Sequence, residues 1–189
     1  MTPKELDGAL KRQLNPKRAE WQKPAALVRA LRLKRGQVVA EIGSGPGYFT
    51  PRLARAVGPR GHVYAIDPEA AVLDVLRQRL KGVRNVTPVL SRDDDPMLPD
   101  GRCDLAVIIN VYHHMHGGVA FLRRLASRLK RGARVVNVDW DEVTEKGPPM
   151  KRRISRARFL REARRAGLRL VADRAVLPHQ YFLELRRAR

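Results

Sequence analysis

The chain has 189 residues, 43% of them hydrophobic, with a formal net charge of +20 and a pI near 11.4. That is enough apolar material for one domain with a sizeable core, and too much for a disordered chain. No apolar run approaches the roughly 20 residues of a membrane helix, the start MTPKELDGALKRQ lacks a hydrophobic signal stretch, and the lone Cys103 excludes an internal disulfide framework, so a cytoplasmic protein is expected.

Residues 1–35 read as a polar, helical N-terminal segment and 36–189 as the main domain. QVVAEIG is a buried strand, and YFTPRLARAVG a helix ended by Gly58. HVYAID is a second strand. PEAAVLDVLRQRLKG is a helix with Pro68 at its start and Gly82 after its end. VTPVL is a short strand, and CDLAVIIN a continuous apolar one typical of the centre of a parallel sheet. GVAFLRRLASRLKRG is an amphipathic helix, ARVVNVDW a strand, and SRARFLREARRAG a helix capped by Ser155. LRLVADRAV and QYFLELR close the chain as two strands.

Strands alternating with helices predict a doubly wound, Rossmann-like α/β fold with a seven-stranded, mostly parallel sheet. The link between the last two strands is too short for a parallel crossover, which needs about a dozen residues, so the last strand is expected to run antiparallel.

In such a sheet, ligands bind beyond the carboxyl ends of the strands. EIGSGPG lies there, and its Gly43, Gly45 and Gly47 permit positive φ and close backbone approach. A phosphate loop would need Gly-Lys-Ser/Thr, and a dinucleotide fingerprint would need Gly or Ala where Tyr48 stands. Asp67 ends the second strand, where a carboxylate can accept both hydroxyls of a ribose, and Glu41 ends the first. Two acids at this edge of a +20 protein favour a ligand that carries positive charge and lacks phosphate. S-adenosylmethionine, with its ribose, sulfonium and ammonium, matches.

With EIGSGPG and YAID at this spacing, the chain resembles the class I S-adenosylmethionine-dependent methyltransferases, from about Val38 to the end. Within that class, DLAVIINVYHHM is similar to the ubiquinone/menaquinone C-methyltransferase type, whose acceptors are small molecules. The resemblance implies that Glu41, Gly43, Ser44, Gly45 and Gly47 hold the methionine end of the cofactor. Asp67 would bind the ribose, with Pro68 and Glu69 along its edge. Asn110 and Val111 would sit near the methionine and the reacting methyl. The acid that usually contacts the adenine amino group falls on Arg92, a departure; Asp93 or Asp94 would have to substitute. In this fold an N-terminal helix often covers the site, a role open to Arg18 and Trp21; Trp21 could equally anchor the segment to the core.

Methyl transfer asks a protein to align nucleophile and methyl, exclude water and, for some acceptors, remove a proton. His113 and His114 follow the fourth strand, and an imidazole can take a proton near neutral pH. Tyr112 could pack on substrate or shape the sulfonium pocket. Asp139, ending the fifth strand, is a further pocket candidate, and His179, Gln180 and Tyr181 approach from LPHQYF. No metal site is expected, because adjacent histidines point apart and no acid or Cys completes a ligand set. Cys103 reads as a small buried residue.

The function expected is methyl transfer to a small molecule. One rival is an RNA methyltransferase. From Lys151 to Arg189, 13 Lys and Arg face three acids, a balance of +10 and half the net charge of the chain. Against this, NVYH stands where many base-amino methyltransferases carry Asn/Asp-Pro-Pro-Tyr. The basic residues also fall on a helix whose apolar positions, Phe159, Leu160 and Ala163, face the sheet, so they read as a solvated face. A second rival binds the cofactor or a partner without turnover.

Overall fold

The structure, a computed structural model, describes residues 2–142 and 144–188. Three helices open the chain: α1 (Pro3–Gln13), α2 (Arg18–Gln22) and α3 (Pro24–Ala30). Thr2 and Glu5 cap α1 reciprocally, side chain to backbone. The alternating part follows as β1 (Val38–Ile42), α4 (Thr50–Val57), β2 (His62–Asp67), α5 (Ala70–Arg79), β3 (Val86–Leu90) and β4 (Leu105–Ile109). Then come α6 (Gly118–Arg128), β5 (Arg134–Trp140), α7 (Arg156–Arg165), β6 (Leu168–Asp173) and β7 (Gln180–Arg187).

The seven strands form one sheet in the order β3-β2-β1-β4-β5-β7-β6. β7 runs antiparallel to both β5 and β6, and the other pairings are parallel. Residues 174–179 cannot carry the chain back across the sheet, so β7 turns and inserts between β5 and β6. All five residues of β4, the central apolar run, are buried. The strand order reverses between β1 and β4, and a crevice opens there at their carboxyl ends.

Two hydrophobic clusters cover the faces of the sheet. One joins Ile108 to Leu122, Leu125 and Phe159 from α6 and α7. The other joins Val39 and Val63 to Leu53, Val57, Leu27 and Leu31. Leu27 and Leu31 are fully buried, so α3 belongs to the main core rather than to a detached segment. α5 begins at Ala70, two residues past Pro68. Ser155 caps α7 as expected, its side chain accepting from the Arg158 amide. The basic stretch near α7 is partly neutralised: Arg158 pairs with Glu162 at 2.9 Å and Arg156 with Asp173. Arg153 is spent on the loop after β5, donating to the carbonyls of Asp141, Thr144, Lys146 and Pro148. No helix among the described residues is long and apolar enough to cross a membrane.

Candidate active site

The loop after β1 is built so that other groups can lie on its backbone. Gly43 and Gly45 both have positive φ, at 66° and 55°. A Cβ on Gly43 would stand 2.3 Å from a methyl of Val111, and one on Gly45 2.2 Å from Oε1 of Gln13. Both positions disfavour a side chain by conformation, and Gly43 also by space, since the β-branched Val111 has little room to yield while the Gln13 amide can swing away. Ser44 donates its amide to the Ile66 carbonyl at 2.9 Å, tying the loop to β2. Glu41 lies below it, fully enclosed, with Thr50 donating to its Oε2 at 2.7 Å. Burial pushes the Glu41 carboxyl up to about 8, against the pull of the Thr50 hydroxyl and the positive Arg18.

Asp67 binds the loop from the next strand. Its Oδ2 accepts the Gly45 amide at 2.9 Å and its Oδ1 the Glu69 amide at 3.1 Å. Each oxygen keeps a lone pair free for a hydroxyl. Burial raises the pKa of this carboxyl, and the two amide hydrogen bonds oppose the rise. Beside it runs a cavity of about 160 Å³, lined by Ile42, Gly43, Pro68, Val111, Met115 and Phe121 among others. Ser91, Arg92 and Asp93 form its polar side. Asp94 does not line it; its carboxylate pairs outside with Arg124 at 3.0 Å. Of the two acids offered for adenine recognition, Asp93 is at the cavity and Asp94 is not.

The N-terminal helices cover the other end of the loop. Gln13, which closes α1, touches Gly45. Arg18 from α2 lies over the Tyr48 ring at 4.1 Å and donates to the Gln13 carbonyl at 3.0 Å. Burial pulls its pKa down to about 10, which leaves it charged at neutral pH. The Tyr48 hydroxyl is buried with no hydrogen-bond partner among the described residues. Trp21 packs on Trp140 of β5, ring centroids 4.8 Å apart.

Gln22, fully buried, closes a ring of three amides. It donates to Gln180 at 2.6 Å, Gln180 donates to Asn110, and Asn110 donates back to Gln22 at 2.8 Å. Within the ring each side chain gives and takes once, and Gln22 Oε1 also accepts from Arg18 Nε and Nη2 at 3.4 and 3.3 Å, so the network joins α2 to the ends of β4 and β7. Asn110 sits at φ 59°, a left-handed conformation that Asn tolerates better than most residues. The sequence placed Asn110 and Val111 at this edge. Nothing in it signalled Gln13 or Gln22, which are polar residues of short helices and find their partners only through the tertiary fold.

Past β4 the chain makes a short 3-10 turn, Tyr112–His114. That turn separates the three candidate residues. His113 turns inward, its Nδ1 2.7 Å from Asp139 Oδ1 and its amide 3.2 Å from Asp139 Oδ2. The His113 and Asp139 side chains are 4% and 1% exposed. The carboxylate can only accept, so Nδ1 carries a proton and Nε2 is left as the ring nitrogen that can take one. His114 turns outward to line the cavity, its ring 4.1 Å from that of His113. Burial, then the neighbouring His113, lowers its pKa. Tyr112 points away from both histidines. Its ring meets Phe159 edge-on and its hydroxyl donates to Glu162 at 2.7 Å, pinning the turn to α7.

The remaining candidates divide in the same way. His179 bonds the Thr144 hydroxyl at 2.7 Å, and Tyr181 donates to the Ile154 carbonyl at 3.1 Å; both brace the loop after β5. Burial pushes the Cys103 thiol up to about 12, so it stays protonated and inert. Among the described residues no three His, Cys, Asp or Glu side chains gather to hold a metal ion.

These features suit a ligand with a ribose, an apolar ring and a charged amino-acid end. Asp67 offers a buried acceptor to hydroxyls, and the adjoining slot is largely apolar. Glu41, Arg18 and the orphaned Tyr48 hydroxyl surround the far end of the loop. Comparison with known proteins agrees. The methyltransferase-domain family profile matches residues 39–132. A protein-L-isoaspartate O-methyltransferase from Ignicoccus hospitalis is 45% identical over 65 residues, 33% of this chain and 31% of that one. A ubiquinone/menaquinone biosynthesis C-methyltransferase from Burkholderia mallei is 32% identical over 121 residues, 62% of this chain and 47% of its own length. The chain thus spans less than half the length of these curated relatives. A solved S-adenosylmethionine-dependent methyltransferase from Aquifex aeolicus superposes with a TM-score of 0.89 at 26% identity, over 98% of both chains. The glycine loop, Asp67 at the end of β2, the strand order and these matches agree: the chain belongs to the class I S-adenosylmethionine-dependent methyltransferases.

Proposed function

We propose that the chain transfers a methyl group from S-adenosylmethionine to a small molecule whose accepting atom gives up a proton, and that it does so in the cytoplasm. The observation that carries this reading is the His113–Asp139 pair at the carboxyl edge of β4 and β5. Bound there, the cofactor supplies a methyl already activated by a sulfonium. The chain supplies the rest. Asp67 holds the ribose hydroxyls, Arg92 and Asp93 border the adenine, and Arg18 with Tyr48 receives the methionine carboxylate. Gly43, Ser44, Gly45 and Gly47 let the loop backbone approach the methionine, and Glu41 answers the ammonium from below. Asn110 and Val111 set the depth of the pocket. Asp139 fixes the His113 tautomer, and His113 Nε2 takes the proton of the acceptor. Asp139 then stabilises the imidazolium.

A small acceptor is favoured over a nucleic acid because α2 covers the acceptor side. Trp21 lies on Trp140, and Gln22 bonds both Asn110 after β4 and Gln180 of β7, on either side of β5. A polymer would have to displace both. In this reading residues 1–35 act as a lid, with α1 and α2 as its moving part and α3 anchored in the core.

The test is an incubation with methyl-labelled cofactor, offered a fractionated metabolite extract and, separately, total RNA. Label is expected in a small-molecule fraction, and at a strongly reduced rate when His113→Ala replaces the wild type. Saturable label in RNA at physiological salt would overturn the acceptor assignment. No label in either, with cofactor bound, would favour a binding protein without turnover.

Glu41 gives a pH-dependent prediction of its own. Its folded pKa, about 8, lies above the ordinary carboxylate value of 4.5. Between these limits the folded state holds a proton that the unfolded state has lost. The stabilising contribution is therefore complete below pH 4.5 and disappears as pH rises through 8. Relative to Glu41→Gln, the ligand-free wild type is expected to lose stability from pH 5.5 to 7.5, by at most about 1.4 kcal/mol per pH unit. Urea midpoints of the two proteins at several pH values measure this. Parallel curves would show that Glu41 is ionised throughout.

A further inference from the structure

The amino edge of the sheet, opposite the glycine loop, carries the largest concavity of the pair described, about 400 Å³. Six of its lining residues are basic, Arg32, Lys34, Lys130, Arg131, Arg134 and Arg186, and two are acidic, Asp104 and Glu184, a local balance of +4. Both acids are already committed. Asp104 receives Lys130 at 2.7 Å and the Val38 amide at 2.8 Å. Glu184 receives Arg134 at 3.5 Å and Arg174. That leaves Arg32, Lys34, Arg131 and Arg186, all exposed, with no ion pair among the described residues.

Strand register concentrates charge further. Arg134 on β5 stands directly opposite Arg186 on β7, and Arg186 opposite Arg169 on β6. Three arginines thus share one face across three neighbouring strands; Glu184 offsets Arg134, and the like charges of Arg186 and Arg169 stay opposed unless a further anion lies between them. Arg32 adds a second cost, since it holds φ 49° without being a glycine.

We propose that this groove binds the phosphate backbone of a nucleic acid, independently of its sequence and apart from the methyl-transfer site. Arginine forks match phosphate oxygens, and the +20 field of the whole chain draws a polyanion toward them. No aromatic residue lines the groove, so bases have nothing to stack on and only the backbone is read. An anionic membrane fits less well, because the surface is concave and Ala133 is the one apolar side chain lining it beside the glycine. The proposal does not rest on the identity of the methyl acceptor.

The test is fluorescence anisotropy with a labelled 20-nucleotide oligouridylate over a range of salt concentrations. The wild type is compared with a variant carrying Arg32→Gln, Lys34→Gln, Arg131→Gln and Arg186→Gln. A control loses the same charge elsewhere, through Arg55→Gln, Lys151→Gln, Arg161→Gln and Arg164→Gln. Each phosphate contact contributes about 0.7 to the slope of log affinity against log salt, so the groove variant is expected to lose about 3 units of slope. The control should keep most of its slope. Unchanged S-adenosylmethionine affinity in both variants shows that the fold and the opposite edge are intact. Equal losses in the two variants would overturn the proposal, since the charge would then act only as a diffuse field. Wild type that binds phosphatidylserine vesicles and not the oligonucleotide would overturn it in favour of a membrane.

Discussion

Replacing His113 by Ala is expected to lower turnover by about 10²–10⁴-fold, the range for a positioned proton acceptor, with affinity for S-adenosylmethionine nearly unchanged. The reason lies in the partnership with Asp139. A carboxylate 2.7 Å from Nδ1 dictates which nitrogen is protonated and frees the other. Asp139→Asn keeps the shape and removes the charge, so it is expected to fall in the same range. Because a positioning role acts through the imidazole, Asp139→Asn should add little to the loss in His113→Ala when the two are combined. His114→Ala should behave differently. His114 lines the cavity and makes no ion pair among the described residues, so its loss should weaken cofactor binding more than turnover. Steady-state kinetics on the identified acceptor separate these effects. Wild-type turnover in His113→Ala would remove the proton-transfer step from this account.

The second large effect is expected at Asp67. Asp67→Ala should weaken S-adenosylmethionine binding by about 1.5–3 kcal/mol, the usual worth of hydrogen bonds to a charged group. Two losses combine: the acceptor for the ribose, and the clamp on the Gly45 and Glu69 amides. Asp67→Asn separates them, since its single carbonyl oxygen can keep only one amide bond. NAD should bind neither protein, because Tyr48 and the closed backbone leave no cradle for a pyrophosphate. Calorimetry measures all of these. Full affinity in Asp67→Ala would place the ribose elsewhere.

The fold was largely legible because its signals are local. The apolar run of β4 and the alternation of strands and helices gave the sheet, and the short link after β6 gave the antiparallel β7. The glycine loop and Asp67 were legible for the same reason, as one strand end and the next. What was not legible depends on long-range contact. Gln22 and Gln180 are 158 residues apart and meet only once the sheet has formed. His113 and Asp139 were each visible, but their pairing requires the register that sets Ile109 beside Val138. The direction of Tyr112 is not legible in the sequence, because a 3-10 turn, unmarked by any capping residue, rotates it away from its neighbours and into the core. The charge is legible in sequence as a stretch near α7, whereas the sheet edge gathers its unpaired cations from three separate parts of the chain.

The most direct measurement is a crystal structure of the chain with S-adenosylhomocysteine. The account predicts the ribose hydroxyls on the Asp67 carboxylate, the adenine in the slot between Pro68 and Phe121, and the amino-acid end between the glycine loop and Arg18. The sulfur should lie on the side of the site that holds His113. A ligand bound at this edge without contact to Asp67, or with its sulfur turned away from His113, would contradict it.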